Sequence, residues 1–168
     1  MLTKVIEQSK IDHFTKWFDR ADKIVIVSHV GPDGDAIGSS LGLWHFFSSQ
    51  GKTANVIVPN AFPDFGSKDV LLYDRYKEFA DKLIAEADVI CCLDFNAIHR
   101  IDAMGDAVLA SPARKILIDH HLHPEDFCKI IISHPEISST SELVFRLICR
   151  MGYFSDISRE GAECIYTG

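Results

Sequence analysis

Between Ser28 and Ser39 the chain reads Ser28-His29-Val30-Gly31-Pro32-Asp33-Gly34-Asp35-Ala36-Ile37-Gly38-Ser39, and three of its side chains can do chemistry. His29 stands four residues before Asp33, and Asp35 follows two residues later. Gly31 and Gly34 permit a tight turn, so imidazole and both carboxylates can converge on one point. Such a mixture of oxygen and nitrogen ligands suits a hard or borderline divalent cation. A solvated acidic turn would explain Asp33-Gly34-Asp35 alone, so the rest of the chain has to supply partners.

It supplies them at two places. Asp94 ends the run Cys91-Cys92-Leu93, and Asp119, His120 and His121 follow Ile116-Leu117-Ile118. In open parallel sheets, ligands bind beyond the carboxyl ends of the strands. Three apolar strands would therefore deliver acids and imidazoles to one rim. His29, Asp33, Asp35, Asp94 and His120 are more ligands than one catalytic ion needs, which suggests two ions with Asp94 bridging them. No cysteine is expected at the rim, since Cys91 and Cys92 sit back within the strand, which disfavours a structural zinc site; carboxylate plus imidazole favours manganese, with cobalt or magnesium also suited. A metal pair of this kind activates water and stabilises charge on a phosphoryl oxygen, so the implied reaction is hydrolysis of a phosphate ester or anhydride.

The elements that must hold these residues alternate along the chain. Apolar spacing predicts helices over Leu2 to Arg20, Ala36 to Gln50, Tyr73 to Glu86, Ile98 to Leu109, Ser139 to Met151 and Ile157 to Tyr166. Strands are predicted over Lys23 to His29, Thr53 to Val58, Asp88 to Phe95, Lys115 to Asp119 and Phe127 to Ser133, with a loop from Asn60 to Lys68 around Pro63 and Gly66. Ser139 with Glu142 three residues later forms a capping box, and Gly152 ends that helix. The pattern implies an α/β fold: a doubly wound, mostly parallel five-stranded sheet with helices on both faces.

Composition narrows the class. At 168 residues and 47% apolar, the chain is one ordinary domain with a sizeable core. A net charge of −7 disfavours long double-stranded nucleic acid as a partner. No apolar run reaches membrane-spanning length, no signal-peptide core is visible, and the odd, scattered cysteines fit reduced thiols in a cytoplasm.

The stretch from His29 to Ser39, with Asp94 and the Asp119-His120-His121 triplet, resembles the first three motifs of the DHH phosphoesterase family. The resemblance covers nearly the whole chain and is nearest to the bacterial oligoribonuclease and 3'-phosphoadenosine 5'-phosphate phosphatase branch, often labelled exopolyphosphatase-related. It implies a Rossmann-like DHH domain and a manganese-dependent phosphoesterase acting on short oligoribonucleotides or small nucleotide phosphates. Carried over by residue, it places His29 and Asp33 on one metal, Asp35 and His120 on the other, and Asp94 between them. Asp119 would orient its neighbour, and His121 would sit by the substrate phosphate. The family's fourth motif carries a further metal-binding aspartate soon after a stretch like Ala162 to Gly168, where this sequence stops. Residues 1–168 are thus expected to be the N-terminal catalytic part, without the smaller substrate-binding domain and with weak activity alone. A homodimer is compatible with this reading.

Other candidates are weaker. Arg100, six residues after Asp94, could reach a substrate phosphate or simply lie exposed. His13, His45, His99, His123 and His134 join no cluster, Trp17 and Trp44 have core spacing, and Cys91 and Cys92 read as strand packing. Ser139, Thr140 and Ser141 could cradle phosphate at a helix N-terminus, although capping alone explains Ser139. Two rival functions stand beside the phosphoesterase: an aspartyl-phosphate phosphatase with Asp33 as nucleophile and Asp35 as acid, and a non-catalytic metal- or nucleotide-binding module.

Overall fold

A computed structural model describes residues 4–61 and 68–168. Among these, the strands β1 (Lys23–Val27), β2 (Thr53–Val58), β3 (Val70–Leu72), β4 (Val89–Leu93), β5 (Arg114–Asp119) and β6 (Ile130–Ser133) form one sheet in the order β3-β2-β1-β4-β5-β6. Every pairing is parallel. The doubly wound α/β expectation therefore holds, but with six strands where the sequence pattern gave five. The additional strand, β3, has three residues and lies at the sheet edge, too short to show a period. The expected loop positions Pro63 and Gly66 lie outside the described residues.

The helices are α1 (Gln8–Arg20), α2 (Gly34–Ser49), α3 (Lys77–Glu86), α4 (Met104–Ala110), α5 (Thr140–Arg150) and α6 (Arg159–Thr167). Side chains alternate across β1: Ile24 and Ile26 join the core under α1, α2 and α5, while Val25 and Val27 join the core under α3 and α4. Burial on both faces explains why β1, β4 and β5 are apolar runs without alternation. On the first face Phe18 stacks against Phe46 and Phe47, at 5.5 and 5.8 Å between ring centres.

Several boundaries shift for local reasons. The expected helix from Ile98 to Leu109 is a 3-10 turn, Ile98–Ile101, followed by α4, because Asp102 adopts φ +51° between them. Helix α2 starts at Gly34, two residues early, because Asp33 caps it by accepting the Ala36 N–H at 2.9 Å. Ser139 caps α5 by accepting the Glu142 N–H at 3.1 Å. The reciprocal half of the box is replaced: the Glu142 carboxylate accepts from Ser138 Oγ and pairs with Arg146.

Helix α6 lies unusually close to α2. A Cβ on Gly38 would stand 2.6 Å from the Cys164 carbonyl oxygen and 2.8 Å from the Gly168 nitrogen, and one on Gly42 would meet the Ile165 side chain at 2.6 Å. Glycine at both positions permits this approach, which carries the chain after Thr167 to the edge of the site at Asp35 and Ser141.

Candidate active site

The strand order puts β1 next to β4 and β4 next to β5. The sheet's winding reverses between β1 and β4, the place where doubly wound folds bind ligands. His29 follows β1, Asp94 follows β4, and Asp119 ends β5 with His120 and His121 just beyond. The strand ends are tied directly: Ser28 Oγ donates to the Leu93 carbonyl at 2.8 Å, and the Asp94 N–H donates to the Ile118 carbonyl at 3.0 Å. Loop backbones are fastened too, since Val30 N–H reaches the Arg100 carbonyl at 2.8 Å and Gly31 N–H reaches Asn60 Oδ1 at 3.2 Å.

Asp94 is the centre of the arrangement. It is 1% exposed and its backbone is left-handed at φ +64°, which turns the carboxylate away from the strand direction. Its Oδ2 lies 3.3 Å from His29 Nε2, and its Oδ1 lies 3.4 Å from His120 Nε2. Two groups with metal-ligand chemistry result, both containing Asp94: His29, Asp33 and Asp94, and Asp94, His120 and His121. Within each group the ligand atoms lie within 4.8 Å of one another.

Each remaining side chain has an identifiable support. His29 donates Nδ1–H to the Val30 carbonyl at 2.7 Å, which aims Nε2 at the carboxylates of Asp94 and Asp33. Asp33 points Oδ1 at His29 Nε2 from 3.9 Å while capping α2. Asp35 accepts the Thr140 N–H with one oxygen and the Ser141 N–H with the other, both at 2.9 Å, so the N-terminus of α5 holds it. Its Oδ2 lies 3.3 Å from His120 Nε2. Asp119 is wholly buried, and its Oδ1 takes the Nδ1–H of His121 at 2.6 Å. The rings of His120 and His121 are 4.6 Å apart.

The electrostatics favour a cation. Among the described residues, no lysine or arginine pairs with Asp33, Asp35, Asp94 or Asp119. Burial pushes the Asp94 carboxyl above its ordinary range, and the nearby negative charges of Asp35 and Asp33 add to that against bonds from His29 and Thr140. Burial pulls His29 down, yet its bonds to Asp94 and the Val30 carbonyl, with the charges of Asp94 and Asp33, leave it raised. A divalent ion at this point would neutralise the same excess negative charge that helps to raise both groups. The carboxylate and imidazole donors, with His29 Nε2 freed by its other hydrogen bond, fit such an ion.

Arg100 is not drawn into the cluster. It ends up exposed on the 3-10 turn, and its guanidinium makes no hydrogen bond or ion pair among the described residues. Thr140 is the functional residue that sequence reasoning undervalued. Its buried Oγ1 donates to Asp94 Oδ1 at 3.0 Å, and its N–H holds Asp35. The helix N-terminus considered as a phosphate cradle instead grips a carboxylate of its own chain. Ser28, which joins β1 to β4, carried no sequence signal beyond its place before His29. Cys91 and Cys92 are fully buried; burial pushes the Cys91 thiol up, and a Cys128 contact followed by burial does so for Cys92, which suits packing rather than nucleophilic roles.

The pattern of the DHH family's N-terminal domain matches residues 23–168. The chain belongs to the DHH family. The bifunctional oligoribonuclease and PAP phosphatase NrnA of Thermus thermophilus is 33% identical over 132 residues, covering 77% of this chain and 37% of that protein. The cyclic-di-AMP phosphodiesterase GdpP of Geobacillus thermodenitrificans is 28% identical over 143 residues, covering 76% of this chain and 21% of that one. The crystal structure of an exopolyphosphatase-related protein from Bacteroides fragilis is 82% identical and superposes with a TM-score of 0.98, covering 99% of this chain and 51% of that one. The DHH chain thus spans about half or less of the length of these relatives. Among the described residues, no helix is long and apolar enough to cross a membrane.

Proposed function

We propose that the protein carrying this DHH domain is a manganese-dependent phosphoesterase that hydrolyses short oligoribonucleotides or small nucleotide phosphates. The observation that carries the reading is that Asp94, at the β1/β4 switch, lies 3.3 Å from His29 and 3.4 Å from His120, with Asp33 3.9 Å from His29 and Asp35 3.3 Å from His120. In this reading His29 and Asp33 would hold one ion, Asp35 and His120 would hold the other, and Asp94 would serve both. Bound ions would supply an activated water and stabilise charge on the phosphoryl oxygen. The remaining steps belong to the chain's own residues. The Val30 carbonyl holds the Nδ1–H of His29, so Nε2 is the nitrogen that would face an ion. The N-terminus of α5 and the Thr140 hydroxyl lock Asp35 and Asp94 before substrate arrives. Asp119 orients His121, which is 44% exposed and so accessible to a substrate phosphate. Arg100, on the same rim, is free to meet a further phosphate. Selection among substrates is proposed to need the smaller domain that the family pattern adds to this one, and the protein is proposed to work in the cytoplasm.

The relatives' names support the substrate class: one acts on oligoribonucleotides and PAP, another on cyclic-di-AMP. The aspartyl-phosphate alternative fits less well, because Asp33 caps α2 beyond a turn rather than standing at the end of β1. The deciding experiment is a turnover panel on the complete protein with manganese, covering dinucleotides, 3'-phosphoadenosine 5'-phosphate, short polyphosphate and cyclic dinucleotides. Manganese-dependent hydrolysis of at least one nucleotide substrate, abolished by chelation, is expected. Tight binding without turnover of any of them would leave the binding-module reading instead.

A further inference from the structure

The chain is acidic, with a net charge of −7, yet one concavity is lined by cations and by no acid. It lies at the amino ends of β5 and β6, at the opposite end of the sheet from Asp94. Its volume is about 620 Å³, and its walls include Lys16 and Arg20 of α1, Arg114 and Lys115 of β5, and Lys129 beside β6. Trp17 lies beneath, 4% exposed, with the Arg114 guanidinium 5.9 Å from its ring centre.

Some cations elsewhere on the surface are matched, as Lys10 is by Glu7, Lys23 by Glu86, Lys77 by Asp81 and Arg159 by Glu163, and those without an ion pair among the described residues, such as Arg75, Lys82 and Arg100, do not line this concavity. Here, among the described residues, Lys16, Arg20, Arg114 and Lys129 make no ion pair. The Lys115 ammonium is held in place by the Ser111 and Ala113 carbonyls, at 2.7 and 3.1 Å, which keeps a further fixed charge and a spare N–H at the site. Asp88 lines an adjoining depression that shares Arg20 and Arg114, but its Oδ2 already accepts the N–H groups of Asp22 and Lys23, both at 2.9 Å. Gathering like charges without counter-charge costs stability, and an anion of several charges offsets that cost. The concavity falls inside the range of roughly 300–1,000 Å³ typical of small-ligand sites.

We propose that this concavity is a binding site for a small polyphosphorylated anion, separate from the catalytic rim. The ammonium and guanidinium groups are what the site offers a phosphate chain; Trp17 is covered, and the other aromatic walls are His13 and Phe127. Strand β5 puts about 17 Å between Arg114 and Asp119, so a ligand here does not touch the Asp94 cluster.

The test titrates the complete protein, in chelator, with inorganic tripolyphosphate and separately with ATP, by calorimetry. Both are expected to bind with similar affinity; markedly tighter ATP would identify the source as a nucleotide held at the same cations. The double variant Arg20→Gln/Lys129→Gln should weaken binding about 100-fold, at about tenfold for each charge-assisted contact removed. Lys77→Gln should change nothing. In the unmodified protein, tripolyphosphate should shield Lys16 and Lys129, and not Lys77, from amine acylation, which decides the matter if the double variant fails to fold. The proposal is overturned by no heat from either ligand at millimolar concentration, by unaltered binding in the folded double variant, or by an absence of shielding. Capture of an oligoribonucleotide by this face where tripolyphosphate fails would overturn it as well.

Discussion

Replacing Asp94 by Asn should make the metal-free protein more stable and the manganese-loaded protein far weaker. Asn keeps the shape of Asp94 and tolerates its left-handed backbone at φ +64° better than other uncharged residues, so no backbone strain is introduced. Its oxygen can still accept from Thr140 Oγ1, and its amide can donate to His29 Nε2, now a neutral acceptor. What disappears is charge. Asp94 and Asp35 both lie within 3.4 Å of His120 Nε2, so they face each other within reach of mutual repulsion. At about 7 Å and an effective dielectric constant of about 20, one such pair costs about 2 kcal/mol. Relief of that repulsion should raise the melting temperature in chelator by roughly 4–8 °C, at the scaling for a domain of this size. With manganese in excess the order should invert, because both proposed ion sites lose their shared carboxylate. The loss of affinity should exceed the roughly 10–100-fold typical of losing an outer hydrogen-bond partner. Thermal melts of both proteins, with chelator and across a manganese titration, measure both effects. A variant that melts lower than wild type in chelator, yet gains as much from manganese, would refute the reasoning.

In chelator, the raised Asp94 carboxyl and raised His29 imidazole both mean that the folded state binds protons more tightly than the unfolded one. Their contribution is present at low pH and is lost as pH rises through the carboxylate range and past the imidazole range, so wild-type stability should fall more steeply than that of Asp94→Asn over about pH 5–8; equal slopes in paired melts would contradict this. Manganese binds the deprotonated forms, so its stabilising effect should grow with pH. His120→Ala should lower bound manganese measured by elemental analysis, whereas His121→Ala should impair turnover more than metal content; normal metal content in both would remove His120 from the ligand set. Gly38→Ala would drive a methyl into main-chain atoms of Cys164 and Gly168 that cannot rotate aside, so a loss of about 1–3 kcal/mol is expected, with faster hydrogen exchange in α6. Unchanged melting and exchange would show that α6 does not need the close approach.

Much of this protein follows from local pattern. Apolar runs at Val25 to Val27, Val89 to Leu93 and Ile116 to Ile118 identify strands buried on both faces, and alternation with helical spacing fixes the parallel, doubly wound class. Because the site residues follow those runs directly, their placement on one rim is legible as well. Local pattern fails where few residues or distant ones decide. Strand β3 is too short to show a period, and Asp102 interrupts a helix by one dihedral angle. Only the folded chain decides that β4 lies between β1 and β5, and hence that Asp94 faces His29 on one side and His120 on the other. Likewise, Asp35 meets the α5 N-terminus across 105 residues of sequence, and α1 joins β5 and β6 to gather the cations around Trp17. Those meetings depend on non-local packing of whole elements, which no window of sequence contains.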